Sequence, residues 1–281
     1  MSKRHTEYFT DNLKSWDAVA KMHAQGSGAE FYRITEFLQG ECKLGPWELE
    51  EVGDVAGKSL LHLQCHIGTD TLSWSRYGAQ VTGLDFSPAA IDEAERFARL
   101  LNIEDARFVV STVSEAVNAL NGEQFDIVYT GRGAICWLPD LDEWAGVCAQ
   151  LVLPTGILYM EETHPTLDLM EVIQIDGKQV IQPKYDPFDM DPVSEDYEGS
   201  YADPNAKTGR QTNHCWEHGF SEIINALVKH GFEVELLNER PWAFFVPWED
   251  MFEPVIPNYW QLKDGFVSLP MSYSLRARKR C

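Results

Sequence analysis

The sequence predicts an α/β protein with one doubly wound, mostly parallel sheet. From residue 59 onward, short apolar and β-rich runs alternate with helical patterns, and strands apolar on both faces need helices on both sides of a parallel sheet. Proline and glycine punctuate the pattern where a helix opens or a turn closes. The 281 residues, 44% of them apolar, are long for one average domain and short for two, which predicts a single domain, 1–281, carrying a sizeable insertion.

The first strand is read over residues 59–64 (SLLHLQ), followed by a helix over about 70–77, a second strand at 80–85 (QVTGLD) and a helix over 88–101. Ser87 is the N-cap of that helix, and Pro88 occupies its first turn, where a missing N–H is no loss. A third strand follows at 106–110 (ARFVV), a short helix near 114–120, a fourth strand at 125–130 (FDIVYT) and a helix over about 140–151. Pro154 and Gly156 close the turn into a fifth strand at 157–161 (ILYME). Right-handed crossovers wind these elements into a core over residues 56–165.

Beyond Glu161 the alternation breaks. Residues 166–215 hold Pro183, Pro187, Pro192 and Pro204 among many acids, with Tyr185, Phe188, Tyr197 and Tyr201 interleaved. A loop of that length in a compact domain is a functional lid or disorder, and the aromatics favour a lid insertion. Residues 216–281 return to regular structure, with a helix over 221–230, a strand over 232–238 and a last strand around 271–277. Between these strands, 241–269 is rich in Trp and Pro and is expected to pack over the sheet. Residues 1–55 carry Tyr8, Trp16, His23, Phe31, Tyr32 and Trp47 at helix-compatible spacing, either an amphipathic helix stapled on the sheet or a helical flap over a ligand.

Lys and Arg number 23 against 44 Asp and Glu, a net charge of −21. Such an excess repels phosphate backbones and anionic lipid, so no nucleic acid and no membrane is expected as partner, and a protein or small-molecule substrate is favoured. Arg276, Arg278, Lys279 and Arg280 read as a solvated strand edge. The apolar runs stop short of the roughly 20 residues a membrane helix needs, and no apolar stretch follows Lys3 and Arg4, which predicts a cytoplasmic protein. Six scattered cysteines lack the spacing of disulfide frameworks and read as reduced thiols, and Cys281 is not placed as a prenylation box.

In an open parallel sheet, ligands bind outside the carboxyl ends of the strands, where the strand order reverses. The residues so placed are Gln64, His66, Gly68 and Thr69 after the first strand, Asp85 and Phe86 after the second, Ser111 and Thr112 after the third, and Thr130 to Gly133 after the fourth. Asp85 is the sharpest of them. A carboxylate there can accept hydrogen bonds from both hydroxyls of an adenosine ribose, with Phe86 against the adenine, and an Asp that caps the Ser-Pro after it is the competing reading.

Residues 61–72 (LHLQCHIGTDTL), 81–91 (VTGLDFSPAAI), 125–141 (FDIVYTGRGAICWLPDL) and 200–206 (SYADPNA), with the late Trp216-Glu217-His218 block, resemble a bacterial subgroup of class I S-adenosylmethionine-dependent methyltransferases. The resemblance runs from about residue 10 to the end. It implies a Rossmann-like methyltransferase fold with seven strands, the last antiparallel. It also implies S-adenosylmethionine as cofactor, S-adenosylhomocysteine as its product and a small-molecule methyl acceptor. The first loop of that superfamily reads acidic-x-Gly-x-Gly-x-Gly, and here His62, Gln64, His66 and Gly68 stand at those places, so only the last glycine remains. The acid that often helps to hold the cofactor's amino group is missing. That contact falls to backbone carbonyls or another segment, while the helix opening after Gly68 still offers its N-terminus to the cofactor's carboxylate.

Methyl transfer from a sulfonium needs alignment in a dry site, and a proton is removed only when the nucleophile carries one. His164, in the EETHP run after the fifth strand, and His218, after the lid, are the candidate bases; Trp137 and Tyr201 are candidate walls of the acceptor site. His62, Cys65 and His66 lack a fourth ligand at characteristic spacing, as do His214, Cys215 and His218, so no metal is expected. Two other functions compete. One is binding of the cofactor or its product without catalysis; the other is a nucleotide-cofactor oxidoreductase, whose NAD ribose Asp85 would serve but whose pyrophosphate wants the missing glycines.

Overall fold

A computed structural model describes residues 3–280; Cys281 lies outside the described residues. Three helices precede the sheet: α1 (Lys3–Gln25), α2 (Ile34–Leu38) and α3 (Pro46–Val52). The expected alternation then follows as β1 (Ser59–Leu63), α4 (Thr69–Arg76), β2 (Gln80–Asp85), α5 (Pro88–Leu101), β3 (Arg107–Val110), α6 (Ala116–Ala119), β4 (Phe125–Gly131), α7 (Leu141–Leu151) and β5 (Val152–Thr163). The Ser87 cap is formed, its Oγ accepting the Ala90 amide at 3.1 Å. At the other end of α5, Asn102 turns the chain in a left-handed conformation, with φ 56°.

The later chain holds α8 (Pro165–Asp168), β6 (Met170–Ile175), β7 (Lys178–Pro183), β8 (Val193–Tyr197), β9 (Gln211–Cys215), α9 (Phe220–Lys229) and β10 (Phe232–Arg240). It ends with β11 (Trp242–Ala243), β12 (Phe252–Ile256), β13 (Tyr259–Leu262) and β14 (Ser272–Lys279). The central sheet has seven strands in the order β10-β14-β5-β4-β1-β2-β3. Its pairs from β3 to β5 are parallel, and β14 runs antiparallel to both β5 and β10. Strand order therefore reverses between β1 and β4.

Alternation along the strands divides the core into two layers. Leu61, Val128, Leu158 and Leu275 face Trp144 and Leu227 from α7 and α9, while Leu60, Ile127, Tyr129 and Tyr159 face Trp74 of α4 and Val52 of α3. No helix among the described residues is long and apolar enough to cross a membrane.

Three expectations need correction. The fifth strand starts at Val152, because Phe125 already pairs with Val152; Pro154, left-handed Thr155 and Gly156 form an irregularity inside the strand, not a turn before it. Residues 166–215 are not a long loop but two antiparallel hairpins, β6–β7 and β8–β9. The first turns at Asp176 and Gly177, both at positive φ, the pair a tight hairpin turn requires. Finally, 241–269 does not lie over a sheet face. It forms a small sheet, β11-β13-β12, which shares a core with Leu167, Val172 and Ile181 at the end of the main sheet where β5 stops and β14 begins. The N-terminal α1 packs on α5 and β9, and Asn12 clamps both backbone groups of His214 at 2.8 and 2.9 Å.

Candidate functional site

Outside the carboxyl ends of β1 and β4 lies a cavity of about 320 Å³, beside a smaller one of about 80 Å³; Gln64, Phe86 and Trp137 line both. The loop after β1 that forms their floor keeps the backbone of a glycine-rich turn under larger side chains: Gln64, His66 and Gly68 stand at φ 56°, 47° and 76°. Left-handed backbone costs an L-residue roughly 1–2 kcal/mol, and such strain concentrates at ligand sites. Only at Gly68 is the absence of a side chain enforced by space as well, since a Cβ would meet Ala94 Cβ at 2.7 Å and Phe108 Cε1 at 3.0 Å.

Asp85 holds this loop in place. Its Oδ2 accepts the His66 amide at 2.8 Å and its Oδ1 the Ser87 amide at 2.9 Å, which ties the first loop to the start of α5. Burial pushes its carboxyl up to about 6 despite both amides. The Gln64 amide group donates to the Ala134 carbonyl at 2.8 Å, and its Oε1 is buried without a donor. His66 meets His23 Nδ1 at 2.9 Å, and His23 Nε2 reaches Ser200 Oγ at 2.6 Å; burial lowers the rings to about 3 and about 2, so both are neutral near pH 7.

At the end of β4, Arg132 pairs with Asp70 at 2.8 Å and Glu48 at 2.9 Å and donates to the Lys43 carbonyl at 2.6 Å, which binds α3 and α4 to the sheet. Farther along, past β5, the larger cavity is walled by Trp137, Phe244, Phe245 and Trp260, the last stacked on Phe31 at 5.8 Å. Asp168 lines it there. Behind stands Glu162, whose carboxylate accepts the Ala134 amide at 3.0 Å and is pushed up to about 8 by burial.

Of the residues expected at the site, Gln64, His66, Thr69, Asp85, Phe86, Trp137 and Tyr201 line the larger cavity, and Ser111 and Thr112 line the smaller one with Phe86. Gly68 serves as the N-cap of α4. Three others do not belong. Thr130 is fully buried with Val128 below it on the same strand face, so its hydroxyl turns into the sheet layer and not into a cavity. His164 caps α8 through Nδ1, which accepts the Thr166 amide, and its Nε2 is 2.7 Å from Glu239. His218 is taken by Glu222 at 3.0 Å and the Leu138 carbonyl at 2.8 Å. Neither histidine lines either cavity, and the structure does not bring them to the rest of the expected site. Arg132, within the stretch 130–133 expected after the fourth strand, lines the larger cavity too, whereas sequence reasoning missed Asp168, Phe244, Phe245 and Trp260. The rule of strand carboxyl ends reaches Asp168, just past β5, but the aromatics come from a segment with no local signal.

Residues 61–158 match a family model described as a methyltransferase domain. The chain is similar to the ubiquinone biosynthesis O-methyltransferase of Salmonella newport (strain SL254), 34% identical over 130 residues, 43% of this chain and 52% of the relative. The like-named protein of Pasteurella multocida (strain Pm70) is 26% identical over 140 residues, 47% of this chain and 57% of the relative. The chain thus spans about half the length of the curated relatives it matches. Among solved structures, the CcbJ methyltransferase from Streptomyces caelestis covers 96% of this chain and 99% of its own, with 12% identity and a TM-score of 0.59. An S-adenosylmethionine-dependent methyltransferase from Mesorhizobium loti covers 86% and 100%, with 17% identity and a TM-score of 0.55. These structures share the fold, a Rossmann-like α/β sheet.

Proposed function

Proceeding from a chain that carries a methyltransferase domain over residues 61–158, we propose that it transfers a methyl group from S-adenosylmethionine to a small-molecule acceptor. The observation that carries this reading is the pairing of Asp85 with the left-handed first loop at the point where strand order reverses. Asp85 lines the larger cavity with lone pairs left over after its two amide bonds, suited to ribose hydroxyls, and the smaller cavity, with Phe86, Ser111 and Thr112, suits the adenine. The buried, donor-free Gln64 Oε1 suits the cofactor's amino group and stands in for the acid that is absent at His62.

A dinucleotide fits less well, because the side chains of Gln64 and His66 project where a pyrophosphate would need bare backbone. When bound, S-adenosylmethionine supplies an electrophilic methyl on a sulfonium that leaves as a neutral thioether. The chain's own part is to align and to exclude water: Trp16, Tyr32, Trp137 and Phe244 wall the cavity, and alignment of this kind contributes up to about 7–11 kcal/mol.

Calorimetric titration tests the reading. S-adenosylmethionine and S-adenosylhomocysteine are expected to bind and to raise the melting temperature, and NAD to do neither. Stabilisation by NAD with no response to either adenosyl compound would overturn it.

A further inference from the structure

Resting on the methyl-transfer reading, we propose that the acceptor is a small amine, held as an ammonium ion at Asp168 among aromatic faces and methylated on nitrogen. Asp168 closes α8, directly after β5, and β5 lies three strands from β2 in the sheet. At about 4.8 Å per strand, that sets the two strand ends about 14 Å apart. Asp168 is thus at the opposite end of the larger cavity from the proposed ribose carboxylate, Asp85, where an acceptor must enter.

Other charged groups that line this cavity have partners. Asp85 takes two amides, Asp70 is paired with Arg132, and Lys43 with Glu41 at 3.0 Å. Asp168 has no hydrogen bond or ion pair among the described residues. Burial, and after it the neighbouring carboxyls of Glu217 and Glu162, hold its carboxyl well above the usual carboxylate range. A cation placed there relieves that repulsion, whereas an anionic acceptor adds to it. Phe244, Phe245, Trp137 and Trp260 line the same cavity, and aromatic rings attract ammonium groups.

The same carboxylate completes the reaction. An ammonium N–H proton passes to Asp168, which frees the nitrogen lone pair. That pair forms the bond to the methyl carbon as the carbon–sulfur bond breaks, and the bonding electrons stay on sulfur. The product is an N-methylammonium ion and neutral S-adenosylhomocysteine, and the proton on Asp168 returns to water as the product leaves.

The test uses shape-matched pairs, 2-phenylethylamine with 2-phenylethanol and cyclohexylamine with cyclohexanol, titrated into the full chain saturated with S-adenosylhomocysteine. At least one amine is expected to bind about tenfold or more tightly than its alcohol. With S-adenosylmethionine instead, that amine is expected to gain one methyl group by mass. Asp168→Asn should keep its affinity for S-adenosylhomocysteine, which shows that it is folded, and lose the preference for the amine. The proposal is overturned if no amine outbinds its alcohol on the unaltered chain, or if the preference survives Asp168→Asn. Failure of S-adenosylhomocysteine itself to bind is a separate result: it removes the methyl-transfer reading, and this proposal with it.

Discussion

Asp85 is nearly fully buried, and its carboxylate has structural work before any ligand arrives, since both oxygens hold backbone amides of neighbouring loops. Truncation to alanine leaves the His66 and Ser87 amides without acceptors, at about 1–3 kcal/mol each where water cannot replace the carboxylate. It also removes the proposed ribose acceptor, and hydrogen bonds to a charged group contribute roughly 1.5–3 kcal/mol. Asp85→Ala is therefore expected to weaken S-adenosylmethionine at least about tenfold and to lower the melting temperature of the free protein as well. Titration and thermal melts read the two effects separately; unchanged affinity would displace the ribose from this position. That Asp85 lines the cavity was legible from its place at a strand end. Its cap on the Ser87 amide was the competing reading of the sequence, but its hold on the His66 amide was not legible, because the left-handed backbone under Gln64 and His66 was hidden by residue types that seldom adopt it.

At the scale of elements, the segment between β5 and α9 separates into parts with different duties. The link between the two hairpins exposes Phe188 and Met190 to solvent, while the turn after β8 places Ser200 against His23 and Tyr201 against Tyr32, at the mouth of the larger cavity. Of these two, the turn, which lines the larger cavity through Tyr201, is the one positioned to respond to a ligand. Chymotrypsin is expected to cleave after Phe188 at the same rate with and without S-adenosylhomocysteine, whereas amide exchange over residues 199–206 should slow when the ligand binds. Equal exchange in both states would show that the turn does not cover the site. The elements from β1 to α7 were legible because caps, apolar period and strand length are local signals, as Ser87 and Pro88 illustrate. The hairpins were not, although Asp176-Gly177 is a hairpin signal, because the prolines and acids around it outweighed two short strands whose apolar residues Val172 and Ile181 share a core with the distant 243–271 region. The small sheet β11-β13-β12 was missed for the same reason: its partners are far away in sequence.

For the whole molecule, the buried titratable groups set opposing dependences on pH. Burial lowers His23, His62 and His66 to about 2, 4 and 3 from an ordinary 6.5. The unfolded chain binds protons at these rings that the folded chain refuses, so their contribution to stability grows as pH rises and is complete above about 6.5. Burial raises Asp85, Glu217 and Glu162 to about 6, 7 and 8. There the folded chain keeps protons that the unfolded chain has lost, so their contribution is complete below about pH 4 and disappears as pH rises through 6 to 8. Between about pH 4.5 and 6.5 the two slopes oppose each other; below that window the histidines act with little offset, and above it the carboxyls do. Net charge of −21 adds self-repulsion on the alkaline side. The urea midpoint of the free protein is therefore expected to be highest near about pH 5 to 6.5 and to fall on both sides. Added salt should recover the part of the alkaline loss that comes from surface repulsion, but not the part that comes from ionising buried carboxyls. Glu162→Gln, which keeps an acceptor for the Ala134 amide and cannot ionise, should flatten the decline between about pH 7 and 8. A midpoint that rises steadily to pH 8 in the unaltered chain, or a decline that Glu162→Gln leaves untouched, would mean that Glu162 is already ionised in the folded protein.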